Sequence, residues 1–440
     1  MNARLLTRMY ALILLVIFGG IVLHAPFTVG VETLFPGSGL LAKSWKELLM
    51  ILAALLAVIL VIQKDAWREL AGDMIIKVIS VFGALHAIIA LALIKGPLAT
   101  FAGLAIDLRY VLFFLLVYIL LRLAPEYKKI FLKVGLAGAV IVVGFGVLQL
   151  FLPADILSHI GYNENTIQPY LTVDKNPDFI RINSTLRGPN PLGAYIVIVL
   201  GLLAAAVVRG RVAIRQPKIA LIVGAAALSS LIVLWASYSR SAVGAAAVTV
   251  FLVLVVAARH LISRRLWIVG CVALFALIGG VIVGREHPFI SNVVLHENRE
   301  GGSAISSNDG HIESLKDGTE RLIRQPIGAG IGSTGSASLL TDEPVIIENQ
   351  YLFIAHEVGW LGLILFVVLY WLILARLWRR RDGWLALGVF ASGVGLALIG
   401  ILLPVWVDDT VSIIWWGLAA VAIASKGENN ARRKTKQKTA

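Results

Sequence analysis

The chain has one cysteine in 440 residues, Cys271, so it cannot form an internal disulfide and is not a disulfide-built scaffold. Charge is equally sparse. Only 15% of residues are Asp, Glu, Lys or Arg, too few to cover a water-soluble body of this length. Acidic residues are the scarcer sign, 26 against 39 Lys and Arg. Internal repeats and low-complexity linkers are absent, so neither a solenoid nor a string of soluble domains is indicated. The glycine run Gly328-Ala329-Gly330-Ile331-Gly332 has no lysine and no preceding strand pattern, which excludes a nucleotide phosphate loop.

Apolar residues fill the space these absences leave. They make up 58% of the chain, and mean hydropathy is +0.86. Runs long enough to cross a bilayer recur about twelve times. They fall near 5–24, 46–63, 75–95, 103–123, 130–152, 190–208, 217–237, 240–258, 265–284, 350–377, 384–403 and 408–425. The expected fold is an all-α polytopic membrane protein, a single membrane domain over 1–440. No small-residue cleavage site follows Leu23, so the first run reads as an uncleaved helix rather than a signal peptide.

Basic residues occupy alternate links: Arg4 and Arg8, Lys64 and Arg68, Arg122 to Lys129, Arg209 to Lys218, Arg259 to Arg265, and Arg376 to Arg381. The positive-inside rule puts these links and both termini in the cytoplasm. The basic tail 426–440 reads as a solvated end near anionic headgroups, and the net charge of +13 as inside bias. A nucleic-acid partner is not expected. Two polar stretches, 153–189 and 285–349, then lie on the outer side.

The outer helix starts carry the candidate chemistry. Arg187-Gly188-Pro189-Asn190-Pro191 opens one helix, with Asn190 expected as N-cap and Pro191 at the first helical position. Ser237-Tyr238-Ser239-Arg240-Ser241 turns into another, where Ser239 or Ser241 can cap. Free N–H groups at a helix start together with an arginine fork form an anion site. Arg187 and Arg240 are therefore the main candidates, with Arg181 a third. Asp107 and Arg109 are expected at the start of the fourth helix, and Glu348 and Asn349 ahead of the tenth. Asp408 and Asp409 read as solvated end-caps.

In the long loop, Asp309 can cap a helix from Gly310 that places His311 in its first turn. The segment to Arg324 is amphipathic and ends at Gln325-Pro326. A histidine at a helix start is biased toward the neutral form a general base needs. His159, His287, His296 and His356 read as structural. Asp309, Glu313 and Asp317 have a spacing too weak for a metal site, and the glycine run reads as a tight link.

Several of these segments together resemble the O-antigen ligase and polymerase superfamily. The matching residues are Arg187-Gly-Pro-Asn-Pro-Leu-Gly193, Ser237-Tyr-Ser-Arg-Ser241, Gln325-Pro-Ile-Gly-Ala-Gly-Ile-Gly332, Glu348-Asn-Gln-Tyr-Leu352 and Glu357-Val-Gly-Trp-Leu-Gly362, in the family's order. The first five helices add nothing to the resemblance. It implies a GT-C-type inverting glycosyltransferase without nucleotide sugar, metal or other cofactor. The implied donor is a glycan on undecaprenyl pyrophosphate, and the implied acceptor a sugar of lipid A-core. Related polymerases tend to have arginine near the position of His311, which favours a ligase. The resemblance makes Arg187, Arg240 and His311 the catalytic set, and Arg181, Asn190, Ser239 and Asn349 substrate contacts. His311 is either the base or a pyrophosphate ligand. The alternatives are a polymerase, a protein O-oligosaccharyltransferase with the same type of donor, and a transporter, against which the lack of a half-repeat speaks.

Overall fold

The computed structural model describes residues 2–173, 175–210, 216–258 and 307–424, with a few single positions between, and only the backbone of 307–312. The expected span at 265–284 apart from Val283, with Cys271, His296, the loop part 292–306 and the tail 426–440, lies outside the described residues.

The described chain is mainly helical. Its long helices are α1 (Ala3–Gly20), α2 (His24–Leu34), α3 (Trp45–Gln63), α4 (Met74–Ala92), α5 (Pro97–Leu123), α6 (Lys128–Gln149), α7 (Pro189–Val208), α8 (Pro217–Ala236), α9 (Arg240–Ala258), α10 (Ser307–Arg324), α11 (Gln350–Arg379), α12 (Trp384–Ile399) and α13 (Asp409–Ile423). Among the described residues, nine helical segments are long and apolar enough to cross a membrane. The fold is thus that of a polytopic membrane protein.

Two expected spans are shorter than a bilayer. α12 and α13 have 16 and 15 residues, where a crossing needs about 20. Every residue of α13 after Asp409 is buried against its neighbours. Protein rather than lipid surrounds α13, so hydrocarbon thickness does not set its length. The all-helical expectation also needs one addition, because 153–189 holds a small antiparallel hairpin, β1 (Leu171–Val173) with β2 (Asn176–Arg181).

Local chemistry fixes the helix starts. Asp73 caps α4 by accepting from the Ile75 N–H, and Asp408 caps α13 by accepting from Val411. α5, α7 and α8 each begin with proline in the first turn, where the missing N–H is harmless. Small residues then let α7, α9 and α12 pack closely. A Cβ on Gly201 would lie 2.8 Å from Thr249 and 3.1 Å from the Gly388 carbonyl oxygen, and one on Gly388 would lie 3.0 Å from the Gly201 carbonyl oxygen. Such contacts replace the hydrophobic driving force that lipid removes.

The pairing gives the bundle two faces. Arg122 with Glu69, Arg376 with Asp73, Arg209 with the Arg381 carbonyl and Arg380 with the Ala422 carbonyl gather at one end, the basic face. The starts of α5, α7, α9, α11 and α13 gather at the other, the loop face.

Candidate functional site at the loop face

Arg181 joins two of the sequence motifs. From the end of β2, its Nε donates to the Ser237 carbonyl at 2.9 Å and its Nη2 donates to Asn190 Oδ1 at 2.6 Å. One guanidinium thus links the start of α7 to the turn between α8 and α9. The Ile182 N–H adds a bond to the Ala236 carbonyl at 3.2 Å. A Cβ on Gly193 would lie 2.6 Å from Ala242 Cβ and 3.0 Å from Ser239 Cβ. Further along, Gly201 meets Thr249, so α7 and α9 run parallel with their N-termini side by side. Two positive dipole ends then face the same space.

The local backbone supports this placement. Tyr238 takes a left-handed conformation, φ 48°, and turns the chain so that Arg240 becomes the first residue of α9. Ser239 is buried, its N–H donates to Ser237 Oγ at 3.3 Å, and its hydroxyl lies 3.4 Å from that of Ser241. Upstream, the Ser184 N–H donates to Gln149 Oε1 at 2.8 Å and the Ser184 hydroxyl donates to the Val142 carbonyl at 2.7 Å. These bonds fix the approach to Arg187 against α6.

Asn190 is not the cap expected of it. Gly188 holds the N-cap position in extended backbone and Pro189 starts the helix, because proline fits the first turn two residues earlier than the expected Pro191. The Asn190 carboxamide oxygen is instead the acceptor for Arg181. Asn349 caps α11, accepting from the Tyr351 and Leu352 N–H groups, and donates to the Ile401 carbonyl at 2.6 Å. Arg187 is exposed, and Arg240 is half-buried at the start of α9.

α10 begins at Ser307, three residues before the expected start, so His311 lies a full turn inside it. The His311 side chain is outside the described residues. The helix ends at Arg324, before Gln325-Pro326 as expected, since a residue ahead of proline is disfavoured in helical geometry. α10 is docked rather than free. The Glu348 N–H donates to Ser314 Oγ at 3.0 Å, and a Cβ on Gly318 would lie 3.0 Å from Leu352.

The glycine run that follows threads between three helices. Gly359, φ 69°, kinks α11 and leaves carbonyls above the kink without helical partners. The loop satisfies them: Ala329 N–H donates to the His356 carbonyl at 2.6 Å and Gly330 N–H to that of Glu357 at 3.2 Å. In return the Trp360 N–H donates to the Pro326 carbonyl at 3.0 Å. Gly328, Gly330 and Gly332 all have positive φ, and a Cβ on Gly330 or Gly332 would overlap the Leu93 or Ala99 carbonyl. Glycine is required here by conformation and by space at once.

Two expectations about polar residues are corrected. α5 starts at Pro97, not near 103, so Asp107 and Arg109 lie about three turns inside it, and both are buried. His356, read as structural, is buried at the kink. Asp409 is no solvated cap. It pairs with Arg109, with Lys46 at 3.0 Å and with His24 at 3.5 Å. Arg109 also donates to the Val407 carbonyl and so pins the turn before α13. Asp408 remains a cap. Burial raises its carboxyl pKa above the ordinary value, against the Val411 N–H and the charges of Arg109 and Arg187. The apolar runs around these residues hid them, and only their presence inside a hydrophobic stretch could have signalled them.

Beside the Ser237 carbonyl lies a groove of about 470 Å³, lined by Leu150, Ile180, Leu231, Ile232, Trp235 and Tyr238. Its walls are apolar, and Trp235 and Leu231 are more than half exposed.

Residues 224–367 match the family model described as O-antigen ligase. No curated protein matches the chain. The matched stretch spans the Ser237–Ser241 turn, α10, the glycine run and the kink of α11. It leaves Arg181, Arg187 and Asn190 outside.

Proposed function

We propose that the protein is an O-antigen ligase, from the match of residues 224–367 to that family model. In this reading the protein transfers a glycan from undecaprenyl pyrophosphate to a sugar of lipid A-core, at the periplasmic face of the inner membrane. The observation that carries the reading is the pairing of the α7 and α9 starts through Arg181, each start led by an arginine, Arg187 or Arg240.

The chemistry follows from the donor. A pyrophosphate leaves as a stable anion and needs charge compensation more than protonation. Arg187 and Arg240 supply it, with the N–H groups and dipoles of α7 and α9. Arg181 fixes the distance between the two starts. The apolar groove beside Ser237 suits the first isoprene units of the donor, which then reach the arginines from the lipid phase. The acceptor hydroxyl attacks the anomeric carbon opposite the pyrophosphate and inverts it. His311, on the docked helix α10, takes the hydroxyl proton.

The test is transfer by the purified full chain in liposomes, with polyprenyl-pyrophosphate glycan, lipid A-core and EDTA, followed as acceptor mobility on a gel. A mobility shift that disappears in Arg240→Ala and in His311→Ala supports the reading. If Arg240→Ala transfers at the wild-type rate with unchanged donor affinity, the pyrophosphate clamp is wrong. If the wild type lengthens a second lipid-linked glycan instead, it is a polymerase. Glycan appearing on an exported protein would identify a protein O-oligosaccharyltransferase.

A further inference from the structure

Glu357 and Asp107 meet inside the bundle, beneath the glycine run, and the proposed chemistry uses neither. Glu357 is fully buried and Asp107 is 6% exposed. Their carboxyl groups lie within hydrogen-bonding reach of one another. Two carboxylates that close would repel, each being only an acceptor, whereas one shared proton would turn the contact into a hydrogen bond. Among the described residues, Glu357 Oε2 has no nitrogen or hydroxyl donor, so the Asp107 carboxyl is what it faces. The other Glu357 oxygen accepts from the loop. The Thr334 N–H donates to Oε1 at 3.3 Å, and the Gly332 N–H lies near the carboxyl.

The surroundings are consistent with a single negative charge. His86 Nε2 lies 3.8 Å from Asp107 Oδ2. His86 Nδ1 lies 2.8 Å from the Phe82 carbonyl, which can only accept, so Nδ1 carries a proton. Arg109 acts on Asp107 from the same helix. From α11, the neighbouring His356 faces Ser333 and the charges of Asp317, Arg321 and Lys95. The pair therefore sits between the histidine of α4, the arginine of α5 and the backbone amides of the loop.

We propose that Asp107 and Glu357 share one proton and that this pair holds the loop from Gly328 to Thr334 in place, making Glu357 a positioning residue for the loop face. Protonated as a pair, the two carboxyls present one net charge to the Gly332 and Thr334 amides and stay together. Loss of the shared proton sets two carboxylates against each other, drives Glu357 from Asp107 and loosens the loop. That loop continues from α10, so its release also frees the helix that bears His311. Only this last link rests on the function proposed above.

The experiment is hydrogen exchange of the 328–334 amides in the full chain in nanodiscs, divided by the intrinsic rate at each pH. Wild type is compared with Glu357→Gln, Asp107→Asn and Glu357→Ala. Glutamine keeps an acceptor for the loop and gains an amide donor for Asp107, so it imitates the paired state permanently. We expect wild-type protection that falls as pH rises, protection in Glu357→Gln and Asp107→Asn that does not, and exchange at least about tenfold faster in Glu357→Ala. Exchange in Glu357→Gln as fast as in Glu357→Ala, with wild-type melting in both, would overturn the shared proton. So would wild-type protection that is flat with pH. Neither readout needs a donor or an acceptor, so a failed transfer assay leaves this result standing. If both readings hold, transfer declines at the same pH as protection does, in wild type and not in Glu357→Gln.

Discussion

Replacing Gly103 by alanine should destabilise the protein, although alanine is the better helix former. Gly103 lies inside α5 with helical neighbours on both sides. On propensity alone the change would stabilise the helix by about 1 kcal/mol. The tertiary contact opposes it. An alanine Cβ would sit 2.5 Å from the Gly332 nitrogen, 2.7 Å from its Cα and 2.8 Å from Ile331 Cγ2. Two of these atoms are backbone, and Gly332 cannot retreat freely because it is already pressed against the Ala99 carbonyl. Overpacking of this kind costs about 1–3 kcal/mol, more where backbone must move. The net expectation is a loss of up to about 2 kcal/mol and a lowered melting temperature. Gly83→Ala is the matched control. It lies inside α4, and among the described residues nothing comes within 4 Å of the place its Cβ would take. It should leave stability unchanged or raise it. Thermal unfolding of both variants in one detergent decides the matter. If Gly103→Ala melts at or above the temperature of Gly83→Ala, the glycine run is not seated against α5 as described.

Three further outcomes follow from the geometry. His311→Ala should lower transfer by about 10²–10⁴-fold with the melting temperature unchanged, the range for a lost general base; a loss below tenfold would move His311 out of that role. Arg187→Lys and Arg240→Lys should each fail to restore the donor affinity lost on alanine substitution, because an ammonium cannot offer two parallel hydrogen bonds; full recovery in donor titrations would argue for simple charge. At the basic face, burial pushes the Asp73 carboxyl pKa up, but the hydrogen bonds from Arg376 and Tyr118, the Arg376 charge and the Ile75 N–H outweigh it and hold the pKa below its ordinary value. A depressed carboxylate contributes stability above its unfolded pKa and loses it as pH falls through the folded one. Melting temperature should therefore decline in acid, and Asp73→Asn should be less stable at neutral pH and show a shallower acid decline; parallel curves would exclude Asp73 as a source.

Hydrophobic length and the alternation of basic links fix the polytopic helical character in the sequence, because bilayer thickness and headgroup charge act on each segment alone. The same holds for the end of α10 at Gln325-Pro326, a steric effect between neighbours in the chain. The motifs around Arg187, Ser237 and the glycine run are visible for similar reasons, since proline, serine and glycine mark backbone that departs from a plain helix. Their convergence is not. Arg181 joins Asn190 to Ser237 across 47 residues of chain, the distance from 190 to 237, and nothing local encodes that. Nor could spacing reveal the roles of Asp107, Glu357 and Asp409. Each is an acid in or beside an apolar stretch, and its meaning lies in the partner that another helix brings: Glu357 for Asp107, Arg109 and Lys46 for Asp409. Local interactions with lipid, water and the chain's own backbone determined which segments are helices and where many of them end. Packing among those helices alone decided which polar groups are buried together, because a buried charge is tolerated only beside a partner and the partners are remote in sequence.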